Sequence, residues 1–380
     1  ARPRLPRPRA TDGGGRLRGV RRRALDTSHL PREPGIYVFR NAAGQPLYVG
    51  KSVDVRARAR AHFAPSSPDS GWVLQAESVE YETTASELGA LLLEHRRVGE
   101  LKPPGNDRLR PGDGGVWLRC RLDIPFPILE VAGEPAAGRA VNVGPLRSKH
   151  AALELVEQLN SLFGLRHCGR TLPRRSWPSA YGQMGRCLSP CLQDLDPNAY
   201  RGRLDQALAL IGGGGAGRPL LAHVEQEMRA AAGARAFERA TWLRRRGIRL
   251  RELLERLGAA VEATHVRPRL VLAEHPDGAR ADAVFLVGGR VVDWGEVDGP
   301  EQLVDRTVRA LAQLPRPGEV PSLTAAEVAC ARIATGWILR EEPRELPLDP
   351  RPGPDRIARF HDRVLRGGGA AVAVGTVSAD

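Results

Sequence analysis

The residues whose types and order suggest chemistry lie between positions 35 and 106. Gly35-Ile36-Tyr37 and Tyr48-Val49-Gly50 each carry a tyrosine, and Lys51, Arg58, His62, Glu94 and Asn106 follow them. Such a set suits hydrolysis of a phosphodiester. A water must lose a proton, the charge building on the phosphorane must be neutralised, and the leaving oxygen must be stabilised. One carboxylate, Glu94, can hold one divalent cation, and Arg58 offers a planar fork to phosphate. Tyr37 and Tyr48 can relay or accept protons if nearby cations lower a phenol pKa of about 10. Arg58 and His62 are four residues apart, on one face of a helix. Only three of the 57 basic residues are lysines, at 51, 102 and 149. An ammonium placed directly after Tyr48-Val49-Gly50 therefore suits polarising a water or a phenol. Taken singly, the tyrosines also read as core aromatics, Arg58 as a solvated charge, and Glu94 as a solvent-facing neighbour of Leu91, Leu92 and Leu93.

The elements that must position these groups are legible from pattern. Residues 35–39 and 46–50 read as strands joined by a turn at 41–45, a hairpin. Ser52 reads as the N-cap of a helix over 53–63, and 79–82 as a third strand. Thr84-Ala85-Ser86-Glu87 is a capping-box pattern for a second helix with Leu88, Leu91, Leu92 and Leu101 inside, ended by Pro103-Pro104. Beyond it, 116–122 and 128–131 read as strands and 151–163 as an amphipathic helix. Residues 167–191 form a cysteine-bearing segment, and 212–217 a glycine-rich break. Residues 220–232 and 236–257 read as a helical hairpin turning at Gly233, and 269–297 as strands. The last sixty residues are punctuated by Pro and Gly and give no clear element.

Composition narrows the class. Apolar residues make up 42% and charged residues 27% of 380, as in globular proteins. No apolar run approaches the length of a membrane span. The net charge is +13, and residues 2–23 hold nine Arg against Asp12. This basic, Pro/Gly-rich stretch, 1–27, reads as a disordered tail able to hold nucleic acid by displacing counterions. Its early prolines and the lack of an apolar stretch argue against a transit or secretory peptide, and an opening at Ala1 rather than Met is what a processed or trimmed chain would show. Five cysteines, at 120, 168, 187, 191 and 330, make no disulfide framework and fit a reducing cytoplasm.

Residues 30–106 resemble the GIY-YIG endonuclease domain of the UvrC/Cho excinuclease family. The matching text is PGIYVFRNAAGQPLYVGKSVDVRARARAHF and then SELGALLLEHRRVGELKPPGNDRLR. The resemblance implies catalytic roles for Tyr37, Tyr48, Lys51, Arg58, His62 and Asn106, and one Mg²⁺ or Mn²⁺ held by Glu94. It leaves open which tyrosine is the base, and Tyr48 is favoured by its nearness in sequence to Lys51. Arg56, Arg60 and Lys102 are the accompanying DNA-binding candidates. The resemblance continues through GPLRSKHAALELVEQLNSLFGLRHC and GQMGRCLSPC, a segment that carries four cysteines in the family. Cys168, Cys187 and Cys191 occupy three positions and Ser179 the fourth, so an Fe–S cluster or zinc is implied with an incomplete ligand set. Residues 219–258 resemble the UVR motif that engages UvrB, with Thr241, Arg245 and Gly247 departing from its pattern. The segment 270–297 resembles the strand-rich part that follows, and no RNase H-like second nuclease is recognised after it.

The expected fold is α+β: a small GIY-YIG domain (28–110) with a short antiparallel sheet flanked by helices, a linker and cysteine-bearing segment (111–200), a UVR-like hairpin (201–262) and a small degenerate α/β C-terminal region (263–380). The expected function is a cytoplasmic, metal-dependent endonuclease of nucleotide excision repair. It makes one single-strand incision in damaged double-stranded DNA, 3′ of the lesion, with UvrB as a partner and no membrane involved. Two other readings stay open on sequence: a non-catalytic UvrB-docking adaptor, and a sequence-specific GIY-YIG nuclease.

Overall fold

The computed structural model describes residues 25–64, 71–109, 116–146, 148–212, 217–264, 267–314 and 323–365. The basic stretch 1–24 and most of the 212–217 break lie outside the described residues. Among those described, no helix is long and apolar enough to cross a membrane.

The first unit contains β1 (Gly35–Arg40), β2 (Pro46–Ser52), α1 (Val55–Ala61), β3 (Ser78–Thr83) and α2 (Glu87–Leu101). The sheet order is β2-β1-β3, antiparallel throughout. Side chains alternate across a strand, and in central β1 both faces are buried. Ile36 and Val38, with Val49, pack on Leu93 and Val98 of α2. Tyr37 and Phe39 pack on Val55 and Ala59 of α1 and on Trp72 of a 3-10 turn, Gly71–Gln75. Each such side chain contributes about 1.5–3 kcal/mol on burial.

Two helix starts differ from expectation. The cap of α1 is Asp54, which accepts from the Ala57 N–H at 2.8 Å; Ser52 instead accepts from Asp54 N–H. The reason is that β2 runs on to Ser52, which pairs with Gly35. The cap of α2 is Ser86, accepting from Gly89 N–H at 2.9 Å, while the Thr84 hydroxyl donates to the Ser86 carbonyl.

The second unit contains β4 (Val116–Arg121), β5 (Leu129–Ala132), β6 (Ala140–Leu146), α3 (Lys149–Phe163), α4 (Ala180–Gln183), α5 (Pro197–Gly212), α6 (Arg218–Gly233) and α7 (Phe237–Thr264), with sheet order β5-β4-β6. The expected hairpin is α6 and α7, but it is not a separate body. Leu220, Leu250 and Leu253 share one core with Leu118, Leu155 and Tyr200, because α7 extends past the expected end at 257 and carries apolar residues along that length.

The third unit contains β7 (Arg269–Glu274), β8 (Ala281–Val287), β9 (Arg290–Glu296), α8 (Pro300–Leu311), α9 (Ala325–Glu341), β10 (Glu345–Pro347) and α10 (Pro354–Leu365), with sheet order β10-β7-β8-β9. The region expected to be degenerate is thus a layered fold. Leu272, Ala283 and Phe285 share a core with α8 and α10 residues such as Leu303 and Phe360. Val271, Val284 and Leu286 share another with Trp337 of α9 and with Leu88 and Leu92 of α2. Helix α2 of the first unit therefore completes a layer of this third unit. Polar contacts lock the same junction: Asp282 with Ser86 at 2.6 Å, Arg280 with Glu33 at 3.2 Å and Arg340 with Glu87 at 3.3 Å. A Cβ on Gly89 would fall 2.1 Å from the Asp282 carboxylate, so only glycine fits there.

Candidate active site

The site begins at the middle of the first sheet. Tyr37 projects from β1, and directly across the ladder its partner on β2 is Gly50. A Cβ on Gly50 would lie 2.4 Å from both Cζ and Oη of Tyr37. The glycine of Tyr48-Val49-Gly50 is thus the space that the phenol of Gly35-Ile36-Tyr37 occupies. Tyr37 is 1% exposed, and its Oη lies 2.7 Å from Nε2 of His62, a hydrogen bond whose donor follows the imidazole tautomer. His62 is the C-cap residue of α1 and is itself buried. Tyr48, on β2, is half-buried and stacked on Trp72, with ring centroids 4.7 Å and planes 3° apart. The Tyr37, Tyr48 and His62 rings sit within 6.3 Å of one another. Trp72 was not among the sequence candidates. Its signal was slight, one tryptophan in an aromatic-poor stretch.

Arg58 is exposed on α1 and Glu94 half-buried on α2, yet both act on Tyr37. Burial is the largest influence raising the Tyr37 pKa, with the neighbouring Tyr48 and Glu94 adding to it; the charge and hydrogen bonding of Arg58 oppose it. Burial also pushes Glu94 up to about 7, against the charge and backbone N–H of Lys51. Tyr37, Tyr48, Arg58, His62 and Glu94 are thereby brought into one neighbourhood.

Other candidates stand differently. The Lys51 ammonium is 3.1 Å from Glu87, in an ion pair that continues to Arg340, and its charge also acts on Glu94. Burial works to raise the Glu87 pKa, but Lys51, Arg340 and Trp337 together bring it below the ordinary carboxylate value. Asn106 is 3% exposed and both ends of its amide engage one residue of β2: Oδ1 accepts from the Val49 N–H and Nδ2 donates to the Val49 carbonyl, each at 2.8 Å. That geometry clamps the strand through one of the two amide N–H groups, the other not being engaged by Val49. Arg56 directs its Nε to the Leu30 carbonyl, which fixes the N-terminal approach to the sheet. Arg60 is exposed on α1, and Lys102 is exposed at the left-handed C-cap of α2.

The donor set was tested for metals. Glu94 is a lone, partly desolvated carboxylate, which suits a hydrated hard cation that takes one carboxylate and keeps its waters. The cysteine segment offers three thiols and a serine where a cluster or a structural zinc takes four ligands. Burial is the largest influence raising the Cys187 pKa, and the neighbouring Cys168 and Cys191 add to it. Ser179, at the fourth position, caps α4 through the Gly182 N–H. His167 stacks on Tyr181 with centroids 3.7 Å apart. Among the described residues, no group of three or more His, Cys, Asp or Glu side chains is arranged to hold a metal.

Residues 33–106 match the family described as the UvrC-like GIY-YIG domain, and 117–210 match the middle domain of the UvrC/Cho excinuclease. UvrABC system protein C of Desulforudis audaxviator is 34% identical over 266 residues, covering 69% of this chain and 42% of that protein. The same protein of Halobacterium salinarum is 34% identical over 311 residues, covering 77% and 51%. The chain thus spans about half the length of these curated relatives, or less. Among solved structures, the GIY-YIG N-terminal endonuclease domain of UvrC from Thermotoga maritima, bound to its catalytic magnesium, is 28% identical with a TM-score of 0.19, covering 20% of this chain and 86% of that one.

Proposed function

We propose that this chain, a UvrC/Cho-like protein with a GIY-YIG endonuclease domain, nicks one strand of damaged double-stranded DNA in nucleotide excision repair, 3′ of the lesion and in the cytoplasm. The observation that carries the reading is the single neighbourhood shared by Tyr37, Tyr48, Arg58, His62 and Glu94. A Mg²⁺ or Mn²⁺ ion held by Glu94 would supply Lewis-acid stabilisation of the charge developing on the phosphoryl oxygens.

The residues divide the remaining work. Arg58, exposed and forked, takes the scissile phosphate. Tyr37 keeps its proton, since burial raises its pKa, and with His62 it forms a fixed donor–acceptor pair beneath the phosphate. Tyr48 is the candidate to receive the proton of the attacking water. Its ring is fixed by Trp72 but less buried than that of Tyr37, and so more open to an attacking water. Lys51 and Asn106 act as positioning residues, through Glu87 and Val49 respectively. Exposed Arg60 and Lys102 are the proposed DNA contacts. UvrB is the proposed partner of the α6–α7 hairpin, where Phe237 is 65% exposed at the start of α7.

The deciding experiment is nicking of a lesion-bearing duplex with and without UvrB and with and without Mg²⁺. Metal-dependent nicking of the lesion-bearing strand supports the reading. Delivery of UvrB to DNA with no nick in any arm would replace it with the adaptor reading, and cleavage of undamaged DNA at one sequence would replace it with the sequence-specific one.

A further inference from the structure

We infer that a basic cleft on the second unit, between the cysteine-bearing segment and α7, binds an unpaired DNA strand. The inference rests on the reading that the protein acts on DNA and identifies a strand-binding surface apart from the candidate active site. The cleft has a volume of about 370 Å³ and is lined by, among others, Phe163, Met184, Arg186, Arg203, Arg239 and Trp242, with no Asp or Glu in its wall. That volume lies within the range of small-ligand sites, enough for a nucleotide-sized group.

The local sequence has the same bias. Residues 158–193 contain five arginines and no acidic residue. Among the described residues, neither Arg186 nor Arg203 pairs with a carboxylate. The Arg186 guanidinium instead sits 5.3 Å from the Trp242 ring centroid. Arg239 meets Glu227 at 3.3 Å, with both side chains largely in solvent, a pairing that a phosphate can exchange. Arg246 approaches the same Trp242 ring at 5.3 Å and is anchored by Glu157, so the indole is held in place.

Aromatic and thioether surface lies beside these charges. Met184, in the cleft wall, is 53% exposed, and Tyr181 is 37% exposed with one ring face stacked on His167. Tyr181 is joined to the cleft, because its carbonyl accepts from the Arg186 N–H at 2.8 Å. Guanidinium groups beside partly exposed aromatic rings are how a single strand is held without sequence preference: charge tracks the phosphates and bases stack. An acidic peptide would satisfy the arginines but leave the aromatic faces without a counterpart.

The test is binding of a fluorescent oligothymidylate by the full chain, in chelator so that no cleavage intervenes, across a range of salt. Arg203→Gln/Arg239→Gln should bind at least tenfold more weakly at low salt. Its log–log salt slope should be flatter by about 1.4, two phosphates at about 0.7 each for a single strand. Arg203→Lys/Arg239→Lys should restore the slope, separating charge from fold. Affinity and slope unchanged in the Gln variant while the wild type binds would overturn the cleft and leave the nuclease reading intact. Loss of polyglutamate binding with oligothymidylate binding retained would also overturn it, in favour of an acidic protein partner. Absence of metal-dependent nicking by the wild type bears on the nuclease reading alone.

Discussion

Ser86 donates a 2.6 Å hydrogen bond to Asp282, joining the cap of the helix that carries Glu94 to a buried strand 196 residues further along the chain. Burial is the largest influence on Asp282 and raises its pKa, against the Ser86 hydroxyl and the backbone N–H groups of Ala85 and Ser86. Removing a hydrogen-bonding partner of this kind costs about 1.5–3 kcal/mol. Asp282→Ala should therefore lower the urea midpoint and, by loosening the start of α2, reduce nicking as well. A variant with wild-type stability would show that the third unit does not brace the helix.

Gly50→Ala is expected to be far more damaging than its size suggests. The new Cβ would stand 2.4 Å from the Tyr37 hydroxyl, so the ring must move and its 2.7 Å contact with His62 must break. Nicking should fall at least tenfold. Gly99→Ala, in α2 with nothing within 4 Å, is the control and should be neutral or stabilising by about 0.5–1 kcal/mol. Equal activity in the two variants would contradict the packing account.

The pH dependence follows from Glu94, which burial raises from an ordinary 4.5 to about 7. The folded protein holds this proton more tightly than the unfolded chain, so between those values stability falls as pH rises. A cation must displace the same proton. Mg²⁺ affinity, read by calorimetry with chain and metal alone, should rise with pH up to about 7 and then level off. Glu94→Gln should abolish the trend, and an affinity flat from pH 5 to 8 in the wild type would show that this carboxylate is not the ligand.

Asn106 offers a test of positioning against catalysis. Two hydrogen bonds to Val49 are lost in Asn106→Ala, leaving buried backbone groups unpaired at a cost of about 1–3 kcal/mol each. Stability and nicking should fall together, and nicking should recover partly at low temperature, where the strand stays in place. Lost nicking with unchanged stability would return Asn106 to the reacting centre.

Local chemistry was legible in the sequence, and long-range chemistry was not. The β1–β2 hairpin and its two tyrosines could be read because period-two burial and the turn at Gly44 are local signals. The helix caps were misplaced by two residues in each case, since pattern alone does not show that β2 runs to Ser52 or that Ser86 is fixed by Asp282. The bond between Lys51 and Glu87, 36 residues away, could not be read, because only the packed fold brings β2 and the start of α2 together. Helices α8, α9 and α10 were not read; Pro300 and Pro354 each stand in the first turn of a helix, where proline is favoured, and Thr324 caps α9 with Glu327. Trp72, Gly50 and Arg340 matter through contacts that form only once the units have packed.

The central claim is that side chains from β1, β2, α1 and α2 act on one phosphate. Single-turnover nicking of a lesion-bearing duplex by Tyr48→Phe, Arg58→Ala and Glu94→Gln, measured beside their DNA affinities, tests it most directly. Each variant should lose nicking by at least a hundredfold while affinity stays within a few-fold of wild type. Full nicking by Glu94→Gln in Mg²⁺, or a loss of nicking fully explained by lost affinity, would contradict it.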